Sequence, residues 1–257
     1  MKKRLFLNLF LVSILFMFIF ELPVFSNGLS SEGLPEFNEL KITLKSVVNE
    51  KNGGFGLNMW AVVVDRDGIV KAVAFSGNNR GDQWPGSRVI AAQKANTANA
   101  FSLPNFSLST ANLFSAVQPG GSLYGLQHSN PVDVKIAYRG SSKKKGTKKD
   151  PMAGYIIGGV NVFGGGLALY NSKGKIIGAL GVSGDSSCAD HNIAWKVRHK
   201  LKLDFVPAGI SPDKNDNIVY DITDGKSSGG WGHPACSPDT VTIAENFSKT
   251  HPVRVKE

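Results

Sequence analysis

The chain has 257 residues, 42% of them hydrophobic and 19% charged, with a formal net charge of +9. That much apolar material excludes a disordered chain. A mean hydropathy of −0.08 with a single lipid-compatible run excludes a polytopic membrane protein.

That run comes first. Lys2, Lys3 and Arg4 precede a charge-free stretch from Leu5 to Phe20, and Glu21-Leu22-Pro23 follows. Sixteen helical residues reach about 24 Å, short of a bilayer core of about 30 Å. The order of charge, apolar run and small residue reads as a secretory signal over 1–26, cut after Ser26, with an uncleaved anchor as the alternative. Either way the rest of the chain is expected to be periplasmic or secreted. Removing the net +2 of the signal leaves +7 on the mature part.

Residues 27–36 read as a linker. Phe37, Leu40, Leu44, Val47 and Val48 have helical spacing, stopped by Asn52-Gly53-Gly54. Leu57 to Val64 and Ile69 to Phe75 are apolar, β-branched runs joined by Asp65-Arg66-Asp67-Gly68, which predicts a hairpin. Ser87 is expected to cap a helix running to Phe101. Its many alanines let a helix lie close to a sheet. A short helix follows near Thr110 to Val117, and 118–154 is irregular. Strands are expected at Tyr155 to Phe163, Leu167 to Tyr170 and Lys175 to Val182. A helix capped by Ser187 then buries Ile193, Ala194, Val197 and Leu201, with Asp190 in a capping-box-like position. Ile218 to Tyr220 reads as a short edge strand. This order is α+β: hairpin-joined strands covered by helices in one domain over 37–202, with 203–257 as an extension wrapping it.

Basic charge is concentrated in residues 139–149: Arg139, Lys143, Lys144, Lys145, Lys148 and Lys149. The stretch reads as a solvated loop, or as a handle for an anionic surface such as a lipid headgroup or an acidic partner. Without interleaved aromatics, in an exported chain, it does not point to nucleic acid.

Cys188 and Cys236 are the two cysteines, and in an oxidising compartment they pair most simply with each other. Each has a histidine three residues away, His191 and His233. A tetrahedral zinc site from the same four side chains is the competing reading. His191 lies near a helix N-terminus, whose dipole favours neutral imidazole. Gly178, Gly181 and Gly184 fit neither a dinucleotide fingerprint nor a P-loop, and read as close helix–sheet contact. Ser183, Asp185 and His191 crowd one turn too closely to form a nucleophilic triad.

Residues 158–198, GGVNVFGGGLALYNSKGKIIGALGVSGDSSCADHNIAWKVR, together with Val64-Asp65-Arg66-Asp67-Gly68 and the helix AAQKANTANAF (91–101), resemble the HbpS/GlcG family of haem-binding proteins. The SCADHNIAW stretch and GHPAC tail are similar to a long exported branch. The resemblance implies a profilin-like α/β/α sandwich, with a five-stranded antiparallel sheet and helices on both faces. It also implies homo-oligomers and haem as cofactor. Some relatives are linked to haem degradation, iron binding or a sensor kinase, which would make a membrane or sensor-protein partner relevant here. Others sit in glycolate or propanediol operons. The family's haem ligand falls on no motif of this chain, so the site is assigned by chemistry. His191 is expected as iron ligand and His233 second, with Tyr124 or Tyr155 as further donors. Lys196 and Arg198 are the expected propionate partners. The functional expectation is an exported haem protein for storage, sensing or detoxification. The alternatives are an enzyme or accessory acting on haem or a small hydroxy acid, and a cofactor-free, disulfide-stapled interaction module.

Overall fold

The computed structural model describes residues 33–256. The signal reading of residues 1–26 and most of the linker therefore lie outside the described residues.

Helix α1 (Phe37–Val48) buries Leu40, Leu44 and Val47, the stripe its spacing marks out. Strands β1 (Trp60–Asp65) and β2 (Val70–Phe75) form the expected antiparallel hairpin, with Val62 opposite Val73. Helix α2 (Ser87–Phe101) follows; its cap position is Gly86, so Ser87 opens the helix instead of capping it. Two 3-10 turns occupy Ala111–Leu113 and Ser115–Val117, and short helices α3 (Leu126–Ser129) and α4 (Val134–Ala137) lie within the irregular stretch. Strands β3 (Gly166–Tyr170) and β4 (Ile176–Ser183) form a second hairpin. Helix α5 (Ser187–Lys200) takes its cap from Ser186, whose hydroxyl accepts from the Ala189 amide. The tail adds β5 (Ile222–Thr223), β6 (Lys226–Ser227), α6 (Pro238–Glu245) and α7 (Phe247–Thr250).

The main sheet has four strands in the order β2-β1-β4-β3, and β5-β6 is a separate two-stranded sheet. This corrects the expectation of a single five-stranded sheet. The missing strand is the one expected over 155–163. Gly158 and Gly159 there take left-handed φ of +63° and +80°, which breaks an extended run. What remains is two isolated bridges, Ile69 to Ile156 and Val132 to Gly158. Ile218 to Tyr220 is likewise no strand.

Helices cover both faces of the main sheet. Ala61, Val63, Leu167, Leu180 and Val182 pack with α1 and α5. Trp60, Val62, Val73, Phe75 and Ala179 pack with the alanines of α2. At Gly181 the helix comes so close that a Cβ would collide with the Ala91 carbonyl oxygen. The tail packs back onto α5: Trp195 stacks on Phe247 with ring centroids 5.3 Å apart and donates its indole N–H to the His251 carbonyl at 2.9 Å. Cys188 and Cys236 form a disulfide, which removes the thiolates a zinc site would use.

Candidate functional site

The β4–α5 turn gathers the polar residues singled out by sequence, and it buries them. Asp190 does not act as a capping-box partner. Its Oδ2 meets Lys94 Nζ at 2.7 Å, and its Oδ1 accepts from the amides of Gly184 and Asp185. Burial lifts the Asp190 carboxyl to about 6, against the pull of Lys94.

His191 is fully buried. Its Nε2 lies 3.2 Å from the Ile218 amide and 3.3 Å from Asn217 Oδ1, both in the tail. Its Nδ1 has no hydrogen-bond partner among the described residues. His233 accepts the Gly164 amide on Nε2 at 3.3 Å, so Nδ1 carries the proton and donates to the Pro234 carbonyl at 2.8 Å. Burial pushes the two imidazoles down, to about 3 and about 4, so both are neutral at pH 7. Phe114 packs against His233 and Phe163 and closes this corner.

The two expected propionate partners are also internal. Lys196 donates to the Lys51 carbonyl and to Asn52 Oδ1, with Glu50 at 3.4 Å. Arg198 pairs with Asp216 through both terminal nitrogens, at 2.7 and 2.8 Å. Burial alone would raise the Asp216 carboxyl, but the Arg198 guanidinium overrides it and holds it below the ordinary carboxylate range. The expected quartet is thus brought to one helix and its covering tail, but every charge in it is already matched. Tyr124 and Tyr155 are exposed elsewhere.

An open cleft of about 280 Å³ lies on the other side of the sheet, where α2 begins. Trp60 and Val89 line its apolar part, and Arg80, Arg88, Lys145 and Tyr138 bring polar groups. Trp60 is only 2% exposed, stacks on Phe75 at 4.6 Å, and has no hydrogen-bond partner for its indole N–H among the described residues. Arg88 is held by Asp150 and by the Ala137 carbonyl. Desolvation, with the neighbouring charges of Arg88 and Arg80, pushes the Lys145 ammonium down; an anion entering the cleft would relieve that repulsion.

The basic loop reaches this cleft because it is folded. Asp150 accepts from Arg88 and from the amides of Gly146 and Met152, and Gly146 lies against the Trp60 ring and the Phe75 Cβ. The reading of 139–149 as a solvated loop holds for Lys143, Lys144, Lys148 and Lys149, which are exposed, but not for its backbone. Sequence reasoning missed Arg80, Tyr138 and the cleft itself. They come from three distant segments, and no local motif announces them.

Other clefts offer different chemistry. One of about 650 Å³ pairs Phe205, Val206 and Val253 with Lys214 and Lys256. One of about 320 Å³ is lined by Asp213, Asp221, Glu245 and Tyr220, whose phenol burial and Glu245 push up and so keep protonated. Among the described residues no group of three or more His, Cys, Asp and Glu side chains is placed to hold a metal ion. None of their helices is long and apolar enough to cross a membrane.

Together these features define an α+β domain with several open clefts and a disulfide-stapled tail. The chain belongs to the HbpS-like family: the family profile described as haem degrading protein HbpS-like matches residues 43–198. Among solved structures, it is similar to a PduOC–haem complex at 28% identity, covering 64% of this chain and 92% of that one, with a TM-score of 0.42. It is also similar to the Klebsiella pneumoniae protein ORFY at 25% identity, covering 64% and 86%, with a TM-score of 0.43. HbpS matches at 16% identity, covering 66% and 86%, with a TM-score of 0.39. No curated protein matches the chain.

Proposed function

We propose that this is an exported haem-binding protein, acting in storage, sensing or detoxification of haem, and that the ring seats at the cleft where α2 begins. Family membership over residues 43–198 supports the cofactor class. The observation that carries the site is the joining of an apolar wall and a cationic rim in one opening. A flat apolar ring with two carboxylates needs such a surface, plus an axial donor. Val89 and Trp60 supply the wall, Arg80 and Lys145 the rim, and Tyr138 the donor. The acid-lined cleft repels carboxylates, and the larger cleft has no histidine, tyrosine, cysteine or methionine in its lining. Ligation by His191 or His233 remains the competing site. It requires the stapled tail to lift, since His191 takes both its partners from that tail.

At about 280 Å³ the cleft stands near the small end of ligand pockets, which run to roughly 1,000 Å³. It therefore holds one edge of a ring and leaves the rest outside, which suits delivery or a second copy of the chain closing over it. Bound haem supplies a redox-active iron; the protein's residues hold the carboxylates and keep one face dry. Export is supported by the Lys2-to-Ser26 pattern alone.

A hemin titration followed at the Soret band tests the reading. The expected result is a shifted band that changes with Tyr138→Phe and weakens with Arg80→Ala plus Lys145→Ala. A band that changes with His191→Ala or His233→Ala, and not with Tyr138→Phe, moves the site to the tail corner. No shift removes the haem reading. The family's description favours a second reading, haem turnover. Release of iron from bound haem in the presence of a reductant distinguishes it from storage.

A further inference from the structure

Residues 131–158 form one arm along the outer edge of β2. Asp133 donates its amide to the Ile157 carbonyl, the Val70 amide donates to Tyr155, and Gly154 donates back to Val70. Asp150 ties the arm to α2 through Arg88. The arm contains seven Lys and Arg against two Asp. Of those two, Asp150 is buried in the Arg88 pair and Asp133 caps α4.

The same arm carries a group of large exposed side chains outside the cleft: Val134 at 60%, Ile156 at 53% and Tyr155 at 42%. Scattered exposed hydrophobics need no explanation, but a cluster on one arm beside five exposed lysines does. Arg139 joins the two halves, its guanidinium 3.9 Å over the Tyr155 ring.

We infer that this arm docks the protein on an anionic lipid surface. Aliphatic and tyrosine side chains partition into the headgroup boundary, and nearby lysines are drawn to acidic headgroups. The five exposed cations, Lys135 with Lys143, Lys144, Lys148 and Lys149, are all lysines. They act as point charges and do not form the fixed forks that single out carboxylates of a folded acidic partner. The folded backbone, held at Asp150, presents them without an ordering cost on binding. The inference does not depend on haem binding.

The test is co-sedimentation of the purified protein with vesicles of phosphatidylcholine alone and with about one third phosphatidylglycerol. Binding is expected to the mixed vesicles only, and to fall as salt is raised. Replacing Lys143, Lys144, Lys148 and Lys149 with Gln is expected to weaken it by roughly 1,000-fold. Val134→Ser with Ile156→Ser is expected to weaken it by about tenfold. All six positions are exposed, and circular dichroism checks that the fold is kept. Equal binding to both vesicle types, or an unchanged quadruple variant, overturns the inference. So does binding to polyglutamate without binding to vesicles, which assigns the arm to an acidic protein. A change in oligomer mass with Val134→Ser and Ile156→Ser, and none in vesicle binding, assigns it to contacts between copies.

Discussion

Lys94 of α2 and Asp190 of α5 meet at 2.7 Å, joining helices that cover opposite faces of the sheet. They pass Gly165, where a Cβ would lie 3.0 Å from Asp190 and 3.2 Å from the Lys94 ammonium. Both side chains are almost fully buried. Removing one partner leaves an uncompensated charge in the interior, so Lys94→Met is expected to destabilise the protein by about 3–5 kcal/mol. Adding Asp190→Asn should recover much of that loss, because the amide oxygen still accepts from Gly184 and Asp185. Urea unfolding of the single and double variants measures this; equal stabilities would mean the pair is not coupled.

Buried neutral histidines set the response to acid. His191 and His233 bind protons near pH 6.5 when unfolded but only at about 3 and about 4 when folded. Between those values the unfolded state holds more protons, so stability is full above pH 6.5 and is lost as the pH falls. Asp190 works in the opposite direction between about pH 4 and pH 6, because burial raises its folded value. Two imidazoles outweigh one carboxyl, giving a net loss of roughly 1–2 kcal/mol per pH unit below 6. Unfolding measured from pH 7 to pH 4 should show this slope, and His233→Gln should flatten it.

Both hairpins, α1, α2 and α5 could be read from periodicity and turn residues, because their apolar faces are local patterns. The disulfide could be read from compartment and count. What could not be read is which polar residues stay open to solvent. Arg198 and Lys196 look like free cations on a helix, and it takes Asp216 and Asn52, from segments 18 and 144 residues away, to bury them. The strand expected over 155–163 failed because the apolar residues Ile156, Ile157, Val160 and Val162 outweighed Gly158 and Gly159 in the reading, while the backbone obeyed the glycines. Arg80, Tyr138 and Lys145 carry no mutual spacing, so the cleft exists only after folding.

The disulfide closes a span of 48 residues. On the chain-entropy account that is worth about 4 kcal/mol. Cys188→Ser with Cys236→Ser should lower the unfolding midpoint accordingly. It should also speed amide exchange at Gly164 and Ile218, whose N–H groups face His233 and His191. Unchanged exchange there would show that the tail is held by Trp195 and Phe247 without the staple.

Close packing of α2 makes its own prediction. A Cβ at Gly181 meets the Ala91 carbonyl oxygen and the Ala95 amide, both rigid backbone, so Gly181→Ala must push the helix off the sheet. The expected cost is about 3 kcal/mol or more. Gly120 offers the control: nothing lies within 4 Å, and the left-handed φ of +84° is the one source of strain there. Gly120→Ala should cost about 1 kcal/mol. Thermal unfolding of the two variants separates close contact from conformational preference, and equal shifts would refute the contact.

Asp150 holds the arm that both the cleft and the lipid-facing surface use. Its carboxylate accepts from Arg88, Gly146 and Met152, and the arm is rich in trypsin sites from Arg139 to Lys149. While those bonds stand, the backbone of 145–150 is pinned against Trp60 and is a poor substrate for a protease that needs an extended chain. Asp150→Ala removes all three at once and leaves the Arg88 guanidinium buried without a counter-charge. The expected result is a loss of about 3–5 kcal/mol together with faster tryptic cleavage within 139–149. Arg88→Met with Asp150→Asn removes the stranded charge and leaves one amide oxygen, which can accept from Gly146 or from Met152 but not from both, so stability should return in part. If cleavage in the arm also returns to the slow rate, one amide bond is enough to order the loop; if it stays fast, the ion pair or the second amide bond is needed.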